Sequence, residues 1–208
     1  MTSSGVMIKV GGSLCSLRLL PGLVAAIREL AGTCSLTIIP GGGPFANLVR
    51  DWDRRLHLSD SASHWMAVAA MNQYGLLLES QGMGTAVDDP AKLSSPGDGA
   101  RIFLPYRFLT DTDPLPHTWS VTSDSIAAYL ASVFKVARLV LLKAADDAPM
   151  SPCPVKTAIE SGIVDGYFDH YLGKNTECWI VNGKDPQRLL DLQTSACPGT
   201  RVIPDHSA

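Results

Sequence analysis

Two glycine clusters, each placed between an apolar run and an amphipathic segment, constrain the fold of this chain more than any other feature. The first cluster spans residues 11–13 and follows the apolar run 6–10, and the second spans 41–43 and follows the run 36–39. A pattern of helical spacing comes after each cluster, with a proline near its start. A repeated strand–loop–helix unit is typical of an α/β protein whose helices cover a largely parallel sheet.

The same alternation continues along the chain and predicts its other elements. Strands are predicted at 6–10, 36–39, 101–104, 139–142, 178–181 and 201–203, the last at a sheet edge, and helices that begin near 21, 44, 59–60 and 122–123. Residues 83–99 are rich in Gly, Pro, Ser and Asp and predict a surface excursion, and 105–116 predict a loop with one helical turn. The sequence therefore predicts one α/β domain over residues 1–208.

Composition excludes several classes of partner. The 208 residues carry a formal net charge of −3, and no dense block of lysine and arginine suits a nucleic-acid backbone or a membrane surface. The five cysteines include no C-x-x-C pair, which argues against a zinc or redox site. The N-terminus lacks the pattern of a signal peptide, and no apolar run reaches membrane-spanning length. We expect a cytoplasmic protein whose partners are small molecules or other protein chains.

Both glycine clusters have the features of phosphate-binding loops. Each precedes a helix, where free backbone N–H groups and the helix dipole attract anions. Neither cluster is a G-x-x-x-x-G-K-[ST] loop or a G-x-G-x-x-G dinucleotide fingerprint, so a different nucleotide fold is indicated. Tight turns that need glycine conformations remain the alternative, although two clusters at equivalent places favour a function.

Three charged residues stand where they could act on phosphates. Lys9 lies inside the first apolar strand, Lys143 ends the strand 139–142, and Asp124 stands at a helix start. A lysine on an edge strand and an acidic cap are the alternatives for Lys9 and Asp124. Phosphoryl transfer needs cations on the travelling group and a rigid holder for those cations, and Asp124 could be that holder. The sequence predicts that Lys9, Asp124 and Lys143 form a catalytic triad.

These segments resemble the amino acid kinase family. The resemblance rests on I-K-V-G-G-S-L at 8–14, P-G-G-G-P at 40–44 and the Ser123-Asp124 helix start, and covers most of the chain. Segments 63–71 and 116–125 are similar to the branch that contains the [5-(aminomethyl)furan-3-yl]methyl phosphate kinases of methanofuran-type cofactor synthesis. The resemblance implies a three-layer αβα sandwich, and transfer of the γ-phosphoryl group of ATP onto a phosphate monoester, which gives a diphosphate.

The resemblance also implies roles for individual residues. The transferring phosphates of ATP would be served by Lys9, Gly11, Gly12 and Ser13, and the acceptor by Gly41, Gly42 and Gly43. Asp124 would orient the lysines, Mg²⁺ would arrive with ATP, and no protein metal site is implied. Because members of the family commonly pair through the helices that cover the sheet, a homo-oligomer is implied as well.

Further site residues are predicted from their chemistry. Arg50 and His117 are the cationic candidates for the acceptor phosphate, since arginine offers a planar fork and histidine can donate near neutrality. Ser123 and His64 are also assigned to the acceptor. The alternative for Arg50 is a solvated position on a helix. The alternative for His64 is a partly buried imidazole whose hydrogen bonds are satisfied within the protein.

On the nucleotide side two assignments stay open. Lys156 competes with Lys143 as the second phosphate lysine, and Asp146 could contact Mg²⁺ through water. Two departures from the family are visible: Ser120 stands where the branch often has an acidic residue, and K-A-A-D-D at 143–147 replaces the usual T-D-V-D-G.

Two other functions stay open at this level. The acceptor could be a carboxylate, a carbamate or another phosphate, and the chain could be a non-catalytic relative that binds a nucleotide or an oxyanion. Lys9 together with Asp124 favours the enzyme, because a non-catalytic relative has no need for a transfer lysine.

Overall fold

The computed structural model describes residues 3–94, 99–144, 151–194 and 199–205. Its strands are β1 (Ser3–Val10), β2 (Leu36–Pro40), β3 (Thr85–Val87), β4 (Arg101–Phe103), β5 (Val136–Lys143), β6 (Cys153–Pro154), β7 (Glu177–Asn182) and β8 (Thr200–Ile203). Its α-helices are α1 (Leu20–Ala31), α2 (Gly43–Leu56), α3 (Asp60–Ser80), α4 (Tyr106–Thr112), α5 (Ser123–Val133), α6 (Val155–Glu160) and α7 (Phe168–Tyr171). Short 3₁₀ segments lie at Gly12–Leu14, Pro90–Ser94 and Pro186–Gln193.

All eight strands form one sheet in the order β3-β4-β2-β1-β5-β7-β8-β6. Pairing is parallel from β3 to β7, while β8 runs antiparallel to β7 and parallel to β6. The sheet is therefore mainly parallel, as the repeated strand–loop–helix pattern predicts.

Helices cover both faces of this sheet, and alternate residues of β1 show the two sides. Met7 belongs to one buried cluster, which includes Leu130 of α5, whereas Ile8 belongs to another, which includes Ile27 of α1. Because side chains alternate along a strand, Lys9 shares the face of Met7 and points toward the α5 layer. The predicted αβα sandwich is confirmed, and its layering places Lys9 beside the helix that carries Asp124.

Some local predictions were incomplete or wrong. The predicted excursion 83–99 also contains β3, which pairs with β4, and the helical turn predicted in 105–116 is the seven-residue α4. Strand β8 is not at the edge of the described sheet, since β6 pairs with its far side. Trp52 and Met66 fall at helical spacing, which predicts core positions, but they are 43% and 40% exposed. Helical spacing identifies an apolar stripe but does not say whether a neighbouring layer covers it.

The topology brings the predicted phosphate loops together. Strand β1 lies between β2 and β5, and the three run parallel, so their carboxyl ends share one edge of the sheet. The loops after β1 and β2 and the end of β5 therefore meet there, which is where open α/β sheets bind ligands. Among the described residues, no helix combines the length and the apolar character that crossing a bilayer requires.

Candidate active site

Asp124 is shared by two lysines at this edge. Lys9 Nζ lies 2.8 Å from Asp124 Oδ1, and Lys143 Nζ lies 2.5 Å from Asp124 Oδ2. Lys9 and Asp124 are each only 4% exposed. One carboxylate therefore contacts two ammonium groups next to the glycine loops, and each ammonium group keeps hydrogens that Asp124 does not accept. Two partly buried ammonium groups of this kind favour the binding of an anion.

Burial and charge act against each other on the protonation of the cluster. Burial alone would raise the pKa of Asp124, but the charges of Lys9 and Lys143 outweigh it and lower that pKa below its usual value. For Lys143, burial and then the Lys9 cation lower the pKa, against the opposing effects of Asp124 and of Asp165. Asp124 is therefore ionised at neutral pH, and Lys143 loses its proton more readily than an exposed lysine does.

The two glycine loops are in contact with each other. A Cβ atom on Gly12 would lie 2.5 Å from the backbone nitrogen of Gly43, and Gly43 has a φ of +57°. The Gly41 N–H donates a hydrogen bond to the Val10 carbonyl at 2.9 Å, and the Gly11 N–H donates one to the Leu142 carbonyl at 2.9 Å. A side chain on Gly12 would therefore separate two loops that the backbone holds against each other.

A cavity of about 310 Å³ opens from these loops. Its lining includes seven of the predicted site residues: Gly12, Ser13, Gly42, Gly43, Arg50, His64 and, at the start of α5, Ser123. Of the described residues that line it, only Arg50 carries a full charge, since no Asp or Glu is among them. The cavity thus has backbone amides at one end and a single cation farther along.

Helix α3 lines the cavity along one side. Met71 lines it one turn before Tyr74, which packs against Gly43, whereas His64 lines it nearer the start of α3. The seven steps from His64 to Met71 span about 10 Å at the helical rise of 1.5 Å per residue. A ligand held by the glycine loops would therefore extend toward His64 with its opposite end.

His64 is a buried imidazole held by other rings. It stacks on His117 with ring centroids 4.3 Å apart and meets Trp65 edge-on at 4.8 Å. Burial, and next the neighbouring His117, lower the pKa of His64 to about 4, against an opposing effect of Asp113. His64 is therefore neutral near pH 7 and offers the cavity a hydrogen-bond donor or acceptor without a charge.

His117 does not line the cavity and supports His64 from behind. Its Nδ1 lies 2.7 Å from Ser61 Oγ, and its Nε2 lies 2.9 Å from Asp113 Oδ1. Both ring nitrogens are thus engaged by protein groups, so direct contact with an acceptor phosphate, as the sequence predicted, would require these bonds to break.

Comparisons with known proteins agree with this geometry. No protein-family model matches the chain. The chain is 31% identical over 200 residues to the [5-(aminomethyl)furan-3-yl]methyl phosphate kinase of Methanocaldococcus jannaschii, an alignment that covers 89% of this chain and 91% of the relative. The chain belongs to the amino acid kinase superfamily. Within it, the sequence groups with the branch of that relative, and the protein is an ATP-dependent kinase of a small molecule.

Solved structures share the fold at low sequence identity. The uridylate kinase of Archaeoglobus fulgidus superposes with a TM-score of 0.73 at 15% identity, covering 96% of this chain and 100% of that one. The isopentenyl phosphate kinase of T. acidophilum gives a TM-score of 0.59 at 14% identity, with 95% and 99% covered. These likenesses place the kinase in the same fold as both.

The kinase does not bring every predicted residue to the site. The side chain of Lys156 is 75% exposed on α6 and lies 4.0 Å from Glu160, so the ion pair with Asp124 belongs to Lys143. Asp146 lies outside the described residues. Ser120 is exposed, and its N–H donates to Thr118 Oγ1.

Sequence reasoning missed two residues that shape the kinase site. Trp119 lines the cavity, donates from Nε1 to Asp53 Oδ2 at 2.7 Å and lies under the Arg50 guanidinium, 4.7 Å from its ring centroid. Asp165 accepts hydrogen bonds from Thr122 and Ser125, which lie on either side of Asp124 in the sequence. The tryptophan in the P-H-T-W-S segment was a visible signal, whereas Asp165 stands in a loop without any recognisable pattern.

Proposed function

We propose that this kinase transfers the γ-phosphoryl group of ATP to the phosphate of [5-(aminomethyl)furan-3-yl]methyl phosphate, and so forms the diphosphate. The observation that carries the proposal is the single carboxylate shared by two lysines beside two touching glycine loops. Two adjacent anion-binding loops suit a reaction between two phosphates. The name of the M. jannaschii relative supports the acceptor. The product would supply a diphosphate leaving group for a later condensation in methanofuran-type C1-carrier synthesis.

On the donor side, the chain supplies positive charge that is already in place. Lys9 and Lys143 neutralise charge on the phosphate oxygens, and Asp124 keeps both ammonium groups in position before any ligand arrives. Because the cluster is partly buried, these charges act in a medium that screens them less than water does. Phosphoryl transfer depends mainly on such positioning and electrostatic stabilisation.

On the acceptor side, the loop 41–43 and the start of α2 hold the phosphate. The start of α2 has no side-chain cap, so the free N–H groups of its first turn are available to bind an anion. The organic part of the acceptor lies along the cavity toward His64, beside Trp119 and Arg50. A furan ring with two short substituents fits a cavity of about 310 Å³.

The residues of the site are compatible with Mg²⁺ held through phosphate oxygens. Both oxygens of Asp124 are bonded to lysines, and no group of three metal-ligating side chains is found among the described residues. Magnesium keeps much of its water shell and needs few protein carboxylates when phosphates are present. When bound, the ion would neutralise charge that develops on the phosphates.

The reaction can be followed by ³¹P NMR with purified protein, ATP and Mg²⁺. We expect the monophosphate resonance of [5-(aminomethyl)furan-3-yl]methyl phosphate to be replaced by the two coupled resonances of a diphosphate, together with those of ADP. UMP and isopentenyl phosphate, acceptors that the structural relatives suggest, serve as competitors and should react much more slowly. Preferential reaction of either competitor would refute the proposed acceptor, and no transfer to any of the three would refute the reaction.

Two lysine variants test the assignment of the cations. Removing one well-placed charged donor typically costs about 10²- to 10³-fold in rate, and we expect this for Lys143→Ala. Lys156→Ala removes the same charge from an exposed position and should leave kcat within about twofold of wild type. A large loss in Lys156→Ala with little in Lys143→Ala would reverse the assignment.

A further inference from the structure

Asp165 lies outside every helix and strand, yet its carboxylate accepts five hydrogen bonds. Its Oδ2 accepts from Thr122 N at 3.0 Å, Thr122 Oγ1 at 2.6 Å and Ser125 N at 3.1 Å. Its Oδ1 accepts from Ser125 Oγ and from Tyr167 N. Four of these five donors belong to the first turn of α5, on the two sides of Asp124.

The bonds form a directed chain that ends at Asp124. A threonine hydroxyl has one hydrogen, and Thr122 gives it to Asp165 at 2.6 Å, because Asp124 Oδ2 lies farther away at 3.5 Å. The lone pairs of that hydroxyl are then free to accept from Asp124 N at 3.2 Å, which is the N-cap bond of α5. Asp165 thus sets the orientation of the group that holds the backbone of Asp124.

The loop that carries Asp165 is itself firmly anchored. Val164 and Phe168, on either side of Asp165, are 3% and 0% exposed and belong to the same buried cluster as Ile126 of α5. Tyr171 also meets Tyr129 of α5 edge-on, with ring centroids 6.0 Å apart. Asp165 therefore presents its carboxylate to α5 from a fixed position.

We propose that Asp165 is a positioning residue for phosphoryl transfer, which fixes the first turn of α5 so that Asp124 can hold Lys9 and Lys143 at once. The inference rests on the proposed function, because it assigns Asp165 a part in that reaction. Asp124 must reach Lys9 with one oxygen and Lys143 with the other, so a small rotation of the turn breaks one contact. Displacements of about 1 Å in such groups can cost on the order of 100-fold in rate.

The test replaces Asp165 by an isosteric side chain that cannot accept from all of these donors. Asp165→Asn should lower kcat by about 10- to 100-fold, with the KM for ATP and for the acceptor within about threefold of wild type. Asp169→Asn, which removes the same charge four positions along the chain, is the matched control and should behave like wild type. Each variant is assayed well below its own Tm, so a loss of global stability alone would leave kcat unchanged.

A double variant separates positioning from an independent effect. If Asp165 acts through Asp124, adding Asp165→Asn to Asp124→Asn should slow the enzyme by less than about threefold, because the group that is positioned has already been lost. A full additional loss in the double variant, or a kcat for Asp165→Asn within about twofold of wild type, would overturn the proposal. If Asp165→Asn does not fold, Ser125→Ala decides: it removes one of the five bonds, and an unchanged kcat argues against positioning.

A crystal structure of Asp165→Asn gives an answer that needs no turnover. We expect Asp124 to lose its contact with Lys9 or with Lys143, and intact contacts would contradict the inference even in an active kinase. A wild-type protein without transfer activity would refute the proposed function instead, and the structural comparison would still decide the role of Asp165.

Discussion

At the scale of single residues, the site depends on one buried carboxylate that contacts two ammonium groups. A buried ion pair gains little net stability, because desolvation offsets the attraction. Here Lys9 and Lys143 share Asp124, so each ammonium group keeps hydrogens that it can donate to a ligand. The cluster is therefore better explained by anion binding than by stability of the fold.

The lowered pKa of Lys143 predicts how activity depends on pH. In the proposed reaction the Lys143 ammonium group acts on the phosphates, and burial and Lys9 make its proton easier to lose. Because the pKa is lowered in the folded protein, kcat/KM should fall as pH rises through a value below the ordinary pKa of lysine. Lys143→Arg should be slower throughout but should move this alkaline limb to higher pH, since arginine keeps its charge. A limb at the same pH in both proteins would assign the titration to another group.

The charged triad could be predicted from sequence, and the residues that hold it could not. Lys9 stands out because a charge inside an apolar strand needs a partner, and Asp124 because it opens a helix. Asp165 belongs to a short loop whose contacts join positions about forty residues apart, and no periodicity marks such contacts. His117 was placed in the cavity by its chemistry, but its two hydrogen bonds turn both nitrogens toward the protein.

At the scale of elements, the two glycine loops act as one unit. Gly12→Ala would push a methyl group against the backbone of Gly43, with a separation of 2.5 Å before any shift. The loops would have to move apart, so we expect kcat to fall by about 100-fold. Gly166→Ala is the matched control, because nothing lies within 4 Å of its Cβ position. Equal activity of the two variants would show that contact between the loops is not required.

Trp119, in the segment between α4 and α5, contacts α2 through its hydrogen bond to Asp53 and its ring contact with Arg50. Trp119→Phe keeps an aromatic ring at the cavity and removes the hydrogen bond to Asp53, which is worth about 1 kcal/mol. We therefore expect the KM for the acceptor to rise about fivefold, with a kcat close to that of wild type and an unchanged KM for ATP. Steady-state kinetics with each substrate varied in turn check this. A change confined to ATP would place Trp119 on the donor side.

Helices and strands were predicted where the periodic pattern of apolar residues is long, and they were missed where the element is short. The helix α3 begins at Asp60, after Ser59, whose hydroxyl accepts from Ala62 N, in agreement with the predicted start near 59–60. Strand β3 has only three residues within a segment rich in glycine and proline, so turn chemistry hid it. On α2, Ala46 and Val49 are buried, whereas Leu48 and Trp52 of the same helix stay exposed.

At the scale of the whole molecule, ligand binding should be visible as stability. A ligand that prefers the folded state stabilises it by about 2.7 kcal/mol at a concentration 100 times its Kd. For a chain of this size that corresponds to a rise of roughly 5 to 11 °C in Tm. We expect this rise with ATP and Mg²⁺, measured by differential scanning fluorimetry, and its loss in Lys9→Ala. An equal rise in both proteins would show that Lys9 does not contact the nucleotide.

The contact between Gly12 and Gly43 separates two tasks of the enzyme. In the proposed reaction, the backbone of these two loops sets the gap across which the phosphoryl group travels. His64 and Trp119 line the cavity beyond the loops. Substitutions there can therefore adapt the enzyme to a new acceptor and leave the transfer distance unaltered.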